Sequence, residues 1–111
     1  MQLPFSKSLD SNGFIFLSGE VPFDKDGSIP EGIEAQTNLV LENIKATLAK
    51  HQAGMEDVVS VTVYLTDKSD FQKFNQAYEQ HFVVPYPVRS TVIADLVIDA
   101  KVEITVIAKK K

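Results

Sequence analysis

Apolar residues along the chain recur with two distinct periods. Phe14-Ile15-Phe16-Leu17 is apolar at every position and follows the turn pair Asn12-Gly13, which predicts a strand covered on both faces. A shorter strand over residues 6–9 is predicted to pair with it across that turn as a hairpin. Further on, Val59, Val61, Val63 and Leu65 alternate with Val58, Ser60, Thr62 and Tyr64, giving a strand with one strongly apolar face. The last two strands are predicted over residues 88–94 and 101–108, joined by a short turn near Asp95–Asp99. In the final one Val102, Ile104 and Val106 share a face.

Two segments carry helical spacing instead. Ile33, Val40, Leu41, Ile44 and Leu48 mark a first helix running to about residue 51. Ser28 and Glu31 ahead of it have capping-box spacing, Pro30 suits a first turn, and Gly54 offers a stop. In the second helix Ser69 and Gln72 repeat the capping-box spacing, and Phe71, Phe74, Tyr78 and Phe82 form a stripe that ends before Pro85 and Pro87. Such an aromatic stripe is expected to pack in the core rather than hold a cofactor.

The order is therefore ββ(β)αβαββ. Two helices cannot cover both faces of a sheet of five or six strands, so both are expected on one face. Either Phe14 and Phe16 or Ile15 and Leu17 then lie on the second face. An uncovered apolar sheet face serves as an interface, which predicts a homo-oligomer packed through its sheets.

Length and composition narrow the classes. A chain of 111 residues is read as a single domain, 1–111, burying about 65% of its unfolded surface. With 44% hydrophobic and 23% charged residues, disordered and low-complexity classes are excluded. No apolar run approaches the ~18 residues of a membrane span, and the start lacks the basic-then-apolar pattern of a signal peptide. With no cysteine, disulfide and zinc-thiolate chemistry is excluded, and a cytoplasmic location is expected. A net charge of −4 disfavours general nucleic-acid binding, which needs a basic face. Lys109–Lys111 is read as a solvated tail.

One count changes the picture. Of 11 basic residues, Arg89 is the only arginine. Strand alternation puts it with Thr91 and Ile93, where it either reaches solvent or a structural carboxylate, or grips an anionic ligand. A guanidinium matches a carboxylate with two parallel hydrogen bonds, which lysine cannot do. Glu103 is the only acid in the final strand. It reads either as an interstrand partner of Lys101 or Arg89, or as a group that holds a water or moves a proton. If the last two strands form a hairpin, the relative facing of Arg89 and Glu103 stays open, because one bulge would reverse it. His51 and His81 sit near helix C-termini, where a cation complements the dipole, and without short-spaced partners no metal is expected. Ser18-Gly19-Glu20 fits neither a nucleophile elbow nor a phosphate loop; its glycine suits the close approach of a ligand or backbone.

These segments together resemble the RidA/YjgF family, also called the L-PSP endoribonuclease family. Ser18-Gly19-Glu20-Val21-Pro22 is similar to its Ser-Gly-Gln-x-Pro signature. Gln36-Thr37 with Leu41-Glu42-Asn43-Ile44, Asp57-Val58-Val59, and Val63-Tyr64-Leu65-Thr66-Asp67 continue the likeness. Residues 71–82, Pro87-Val88-Arg89-Ser90 and Val102-Glu103-Ile104 complete it, in order and over essentially the whole chain.

The resemblance implies a chorismate-mutase-like (YjgF-type) α+β fold, with a mixed sheet of five to six strands and two helices on one face. It also implies a homotrimer with clefts between subunits. The activity implied is hydrolytic deamination of enamine/imine intermediates such as 2-aminoacrylate and 2-aminocrotonate, giving the 2-keto acid and ammonia. These intermediates come from pyridoxal-phosphate-dependent dehydratases, a functional link with no stable complex expected. No cofactor or metal is implied. By the resemblance Arg89 grips the substrate carboxylate, Glu103 sits near the attacking water, and Gly19 and Asn75 line the pocket. The chain departs from the pattern at Phe5, where a pocket tyrosine is usual, at Thr91, where cysteine is common, and at Glu20, in place of glutamine. The turn before the last strand is also about one residue shorter, with Leu96-Val97 for a common Leu-Pro. Two other functions stay open: non-catalytic binding of small carboxylates such as 2-keto acids, and the ribonuclease activity attached to the family, which the acidic balance disfavours.

Overall fold

The first hairpin turns on Asn12 and Gly13, whose φ angles of 54° and 83° are both left-handed. That is the two-residue turn whose twist matches flanking strands. It sets β1 (Ser8–Ser11) against β2 (Phe14–Leu17), with Ser11 opposite Phe14 and Ser8 opposite Leu17. The first strand thus starts two residues later than predicted. The computed structural model describes residues 2–111 and continues with α1 (Ile33–Ala49), β3 (Val58–Leu65), α2 (Phe71–Tyr78), β4 (Val88–Ile93) and β5 (Val102–Lys109). The bracketed extra strand before α1 is only an isolated bridge, Glu20 to Ile104.

The sheet order is β1-β2-β5-β3-β4, with β5 antiparallel to both β2 and β3 and β4 parallel to β3. The last two strands therefore do not form the hairpin considered above. A crossover through α2 lays β4 parallel on one edge of β3, which leaves the other edge to β5. The connecting segment passes over the end of β3, where Ala94 N–H donates to Leu65 O at 3.0 Å and Thr66 N–H to Lys101 O at 3.1 Å.

Both helices cover one face. Ile15, Leu17, Val61, Val63, Leu65, Val102, Ile104 and Val106 point to it and form one buried cluster with Ile33, Val40, Leu41, Ile44, Leu48, Phe74, Tyr78 and Phe82. Phe14 and Phe16 lie on the other face, with Leu9 opposite Phe16 and, at the far edge of the sheet, Val88 and Val92, all exposed. The second apolar face is present, and none of the described residues covers it.

The caps differ from the sequence reading. α1 begins at Ile33, because Gly32 has φ 91° and Ser28 is used elsewhere. Asp24 Oδ1 accepts from the N–H of both Asp26 and Ser28 at 2.9 Å, which folds residues 24–28 into a turn. Past its C-terminus, Gln52 at φ 59° takes the left-handed position expected of a glycine. Its N–H reaches Ala49 O at 3.1 Å, and Ala53 N–H reaches Leu48 O at 3.1 Å. Gly54 instead opens a short turn closed by Asp57, whose Oδ2 accepts the Gly54 N–H at 2.9 Å. Ahead of α2, Asp67 rather than Ser69 caps the short 3₁₀ turn Lys68–Asp70 that leads into the helix. Its Oδ1 accepts from Ser69 N–H at 2.9 Å and from Ser69 Oγ at 2.8 Å. Phe71 lies partly outside the buried stripe. No helix of the described residues is long and apolar enough to cross a membrane.

Candidate functional site

Arg89 opposes Val61 in the parallel pair, so its side chain lies on the helix-covered face, under α2. Its guanidinium carbon is 4.7 Å from the Tyr78 ring centroid, 5.5 Å from that of Phe74 and 5.9 Å from that of Phe71. Aromatic faces attract a cation, but they supply no lone pair for its N–H donors. Among the described residues no carboxylate comes within 4.0 Å of it. The structural-carboxylate reading of Arg89 is therefore set aside.

The guanidinium faces a cleft of about 400 Å³ lined by Asn75, Tyr78, Glu79, Tyr86 and Pro87. The Tyr78 hydroxyl is buried without a hydrogen-bond partner. Burial pushes its pKa above the ordinary phenol value, and the neighbouring Arg89 charge pulls the other way. Thr91 follows on the same face of β4, and its Oγ1 is also buried and unpartnered. Arg89, Asn75 and Thr91 thus belong to one side of the sheet, at the β4 edge.

Glu103 belongs to the other side. It opposes Tyr64 across β5 and β3, on the face that carries Phe16, and makes no ion pair with Lys101 or Arg89. Gly19 lies against it so closely that a Cβ at Gly19 would overlap the Glu103 carboxylate. Any larger residue there would push the Glu103 carboxylate aside. Phe5 is exposed, and the chain after it is tied to this corner by Ser18 Oγ, which donates to Ser6 O at 2.6 Å. The residues singled out from sequence therefore fall into two groups on opposite faces, with β3 between them. No one chain brings Arg89 and Glu103 together.

Glu20 takes no part in either group. It is paired with Ile104, which turns its side chain under α1, and it is 5% exposed. Thr47 Oγ1 donates to Oε2 at 3.0 Å, and Lys7 Nζ lies 3.3 Å from each carboxylate oxygen. The change from the family's amide to an acid is absorbed by an ion pair within the fold.

The histidines are structural contacts. His51 Nε2 lies 2.8 Å from Ser8 Oγ, and His81 Nε2 2.8 Å from Asn38 Oδ1, with Nδ1 3.8 Å from Glu42. Among the described residues no three His, Asp or Glu side chains gather as a metal site. A larger cavity of about 850 Å³ opens between residues 27–32 and 95–101. Its buried polar group, Gln36, donates to Pro30 O at 2.9 Å and accepts from Lys101 N–H at 2.8 Å, so its amide ties the two loops together. Sequence reasoning missed Tyr78, Glu79 and Tyr86 as cleft residues. Asn75, Tyr78 and Glu79 stand at i, i+3 and i+4, so one face of α2 would have named them from Asn75 alone.

The sequence matches the family described as Endoribonuclease L-PSP over residues 1–110. It is 41% identical to a RutC family protein of Pyrococcus horikoshii, covering 97% of this chain and 88% of that one. It is 36% identical to the Escherichia coli protein named "Putative reactive intermediate deaminase TdcF", over 95% of this chain and 85% of TdcF. The crystal structure of E. coli TdcF with bound serine matches with a TM-score of 0.92 at 33% identity, covering 100% of this chain and 91% of that one. RidA from an Antarctic Psychrobacter matches with a TM-score of 0.92 at 34% identity, covering 96% and 88%.

Proposed function

The chain belongs to the RidA/YjgF (L-PSP endoribonuclease) family, and from that premise we propose that it hydrolyses reactive enamine/imine intermediates to 2-keto acids and ammonia. The substrates proposed are of the 2-aminoacrylate and 2-aminocrotonate class. The observation that carries the reading is the guanidinium of Arg89, which lines a cleft and, among the described residues, has no carboxylate within 4.0 Å. The same cleft is proposed to take α-amino carboxylates, the class to which the serine bound by TdcF belongs.

In the imine tautomer C2 is already electrophilic, so positioning supplies most of what catalysis needs. Arg89 holds the substrate carboxylate with two parallel N–H···O bonds. Glu103 accepts a proton as water attacks C2 and returns it to the departing nitrogen, a role worth about 10²–10⁴ in rate. Water and imine in give keto acid and ammonia out, with no oxidant and no cofactor.

Because Arg89 and Glu103 lie on opposite faces of one sheet, the reaction requires the Arg89 group of one copy to meet the Gly19–Glu103 group of another. A head-to-tail contact of that kind closes as a ring, and the proposed assembly is a homotrimer whose interface includes the face bearing Phe14 and Phe16. Non-catalytic carboxylate binding is the second reading, favoured by the fact that the Arg89 cleft is formed within one chain. The experiment couples a threonine dehydratase to this protein and follows 2-ketobutyrate. Acceleration by wild type, lost in Arg89→Ala and Glu103→Gln, supports the hydrolase. Binding of 2-ketobutyrate without acceleration supports the second reading.

A further inference from the structure

The Arg89 cleft has a second charged wall. Glu79 follows Tyr78 at the end of α2 and lines the same space, opposite in sign to Arg89. Neither side chain has an ion-pair partner among the described residues, and the two are more than 4.0 Å from each other. A cation and an anion with no ion pair within 4.0 Å thus line the same space of about 400 Å³. A simple anion would meet one attraction and one repulsion there. A ligand that carries a carboxylate and a cationic nitrogen on the same carbon meets two attractions.

We propose that Glu79 sets the charge selectivity of this cleft, favouring 2-iminio and 2-amino carboxylates over 2-keto acids. The inference rests on the reading of the cleft as a carboxylate site. Its consequence follows the reaction, in which R–C(=NH₂⁺)–COO⁻ and water give R–CO–COO⁻ and NH₄⁺. The reactant is a zwitterion and the organic product is an anion. Glu79 favours the protonated imine, the more electrophilic form, and repels the product once the nitrogen has left. Asn75, with amide donor and acceptor, and the Tyr78 and Tyr86 hydroxyls are the neutral polar groups of the wall.

The test uses two ligands of one carbon skeleton, 2-ketobutyrate and L-2-aminobutyrate, titrated calorimetrically into the intact protein. Glu79→Gln keeps shape and removes charge at an exposed position, so the fold is retained. It is expected to tighten 2-ketobutyrate by about three- to tenfold and weaken L-2-aminobutyrate by a similar factor, the range for a partly solvated charge pair. Both shifts are expected to shrink at high salt. Unchanged affinities, or shifts of the same sign for both ligands, would overturn the role of Glu79. Arg89→Ala separates the two levels, since it is expected to weaken both ligands. If it weakens neither, the carboxylate reading itself fails, and so it does if wild type binds neither ligand.

Discussion

Glu20 and Arg89 are charged side chains on the same, helix-covered side of the sheet, and the fold treats them in opposite ways. Glu20 is buried with its oxygens occupied by Thr47 and Lys7. Arg89 is given three aromatic rings and, among the described residues, no carboxylate within 4.0 Å. A buried charge left unpaired costs several kcal/mol, so folds either pair it or hold it where something else will. The first arrangement is consumed by the structure, and the second is available to a ligand.

Substitutions break or sharpen that contrast. Arg89→Ala should remove two charge-assisted bonds of about 1.5–3 kcal/mol each and lower turnover by about 10²–10⁴ in the coupled assay. Its thermal midpoint should fall by only about 4 °C, because the aromatic contacts at this site are worth about 1 kcal/mol. Arg89→Lys should not restore turnover, because an ammonium cannot make the paired contact. Glu20→Ala should do the reverse, costing about 2–3 kcal/mol of stability in urea melts with turnover unchanged. Glu20→Gln should keep the Thr47 bond and cost under about 1 kcal/mol, since Lys7 is largely exposed. Loss of turnover in Glu20→Gln would end the contrast.

Gly19→Ala should displace the flexible Glu103 carboxylate at little cost in stability and slow turnover about tenfold, a misplacement effect seen in steady-state rates. The smallest effect belongs to pH. Burial holds the His81 pKa below the ordinary histidine value, against Glu42, which raises it, and with Lys45, which lowers it. The unfolded chain then binds the extra proton first, so stability should fall as pH drops from about 6.5 through the lower folded value. His81→Gln should flatten that slope in melts recorded across pH.

Much of the fold was legible because it is local. The alternation over Val58–Leu65 and the Asn12-Gly13 turn each state their own structure within a few residues. The caps were misread because Ser28 and Ser69 have the right spacing but lose their partners to Asp24 and Asp67, which compete for the same N–H groups. Strand order was illegible, since nothing in residues 88–109 says that β3 comes between the last two strands. The facing of Arg89 and Glu103 depended on that order alone. Arg89 itself was visible as a count, whereas Glu79 is one of 15 acids and is marked only by where α2 places it.

The central position of β5 has a consequence for how the chain folds. The strand formed last in the sequence fills the gap between β2 and β3, whose residues lie tens of positions upstream. During synthesis the N-terminal hairpin and the β3–α2–β4 unit emerge with no strand to join them. Their apolar faces stay open until Val102–Lys109 leaves the ribosome, and closure then requires long-range pairing, the slow kind. A nascent chain stalled before that strand is the species in this protein most exposed to misassociation.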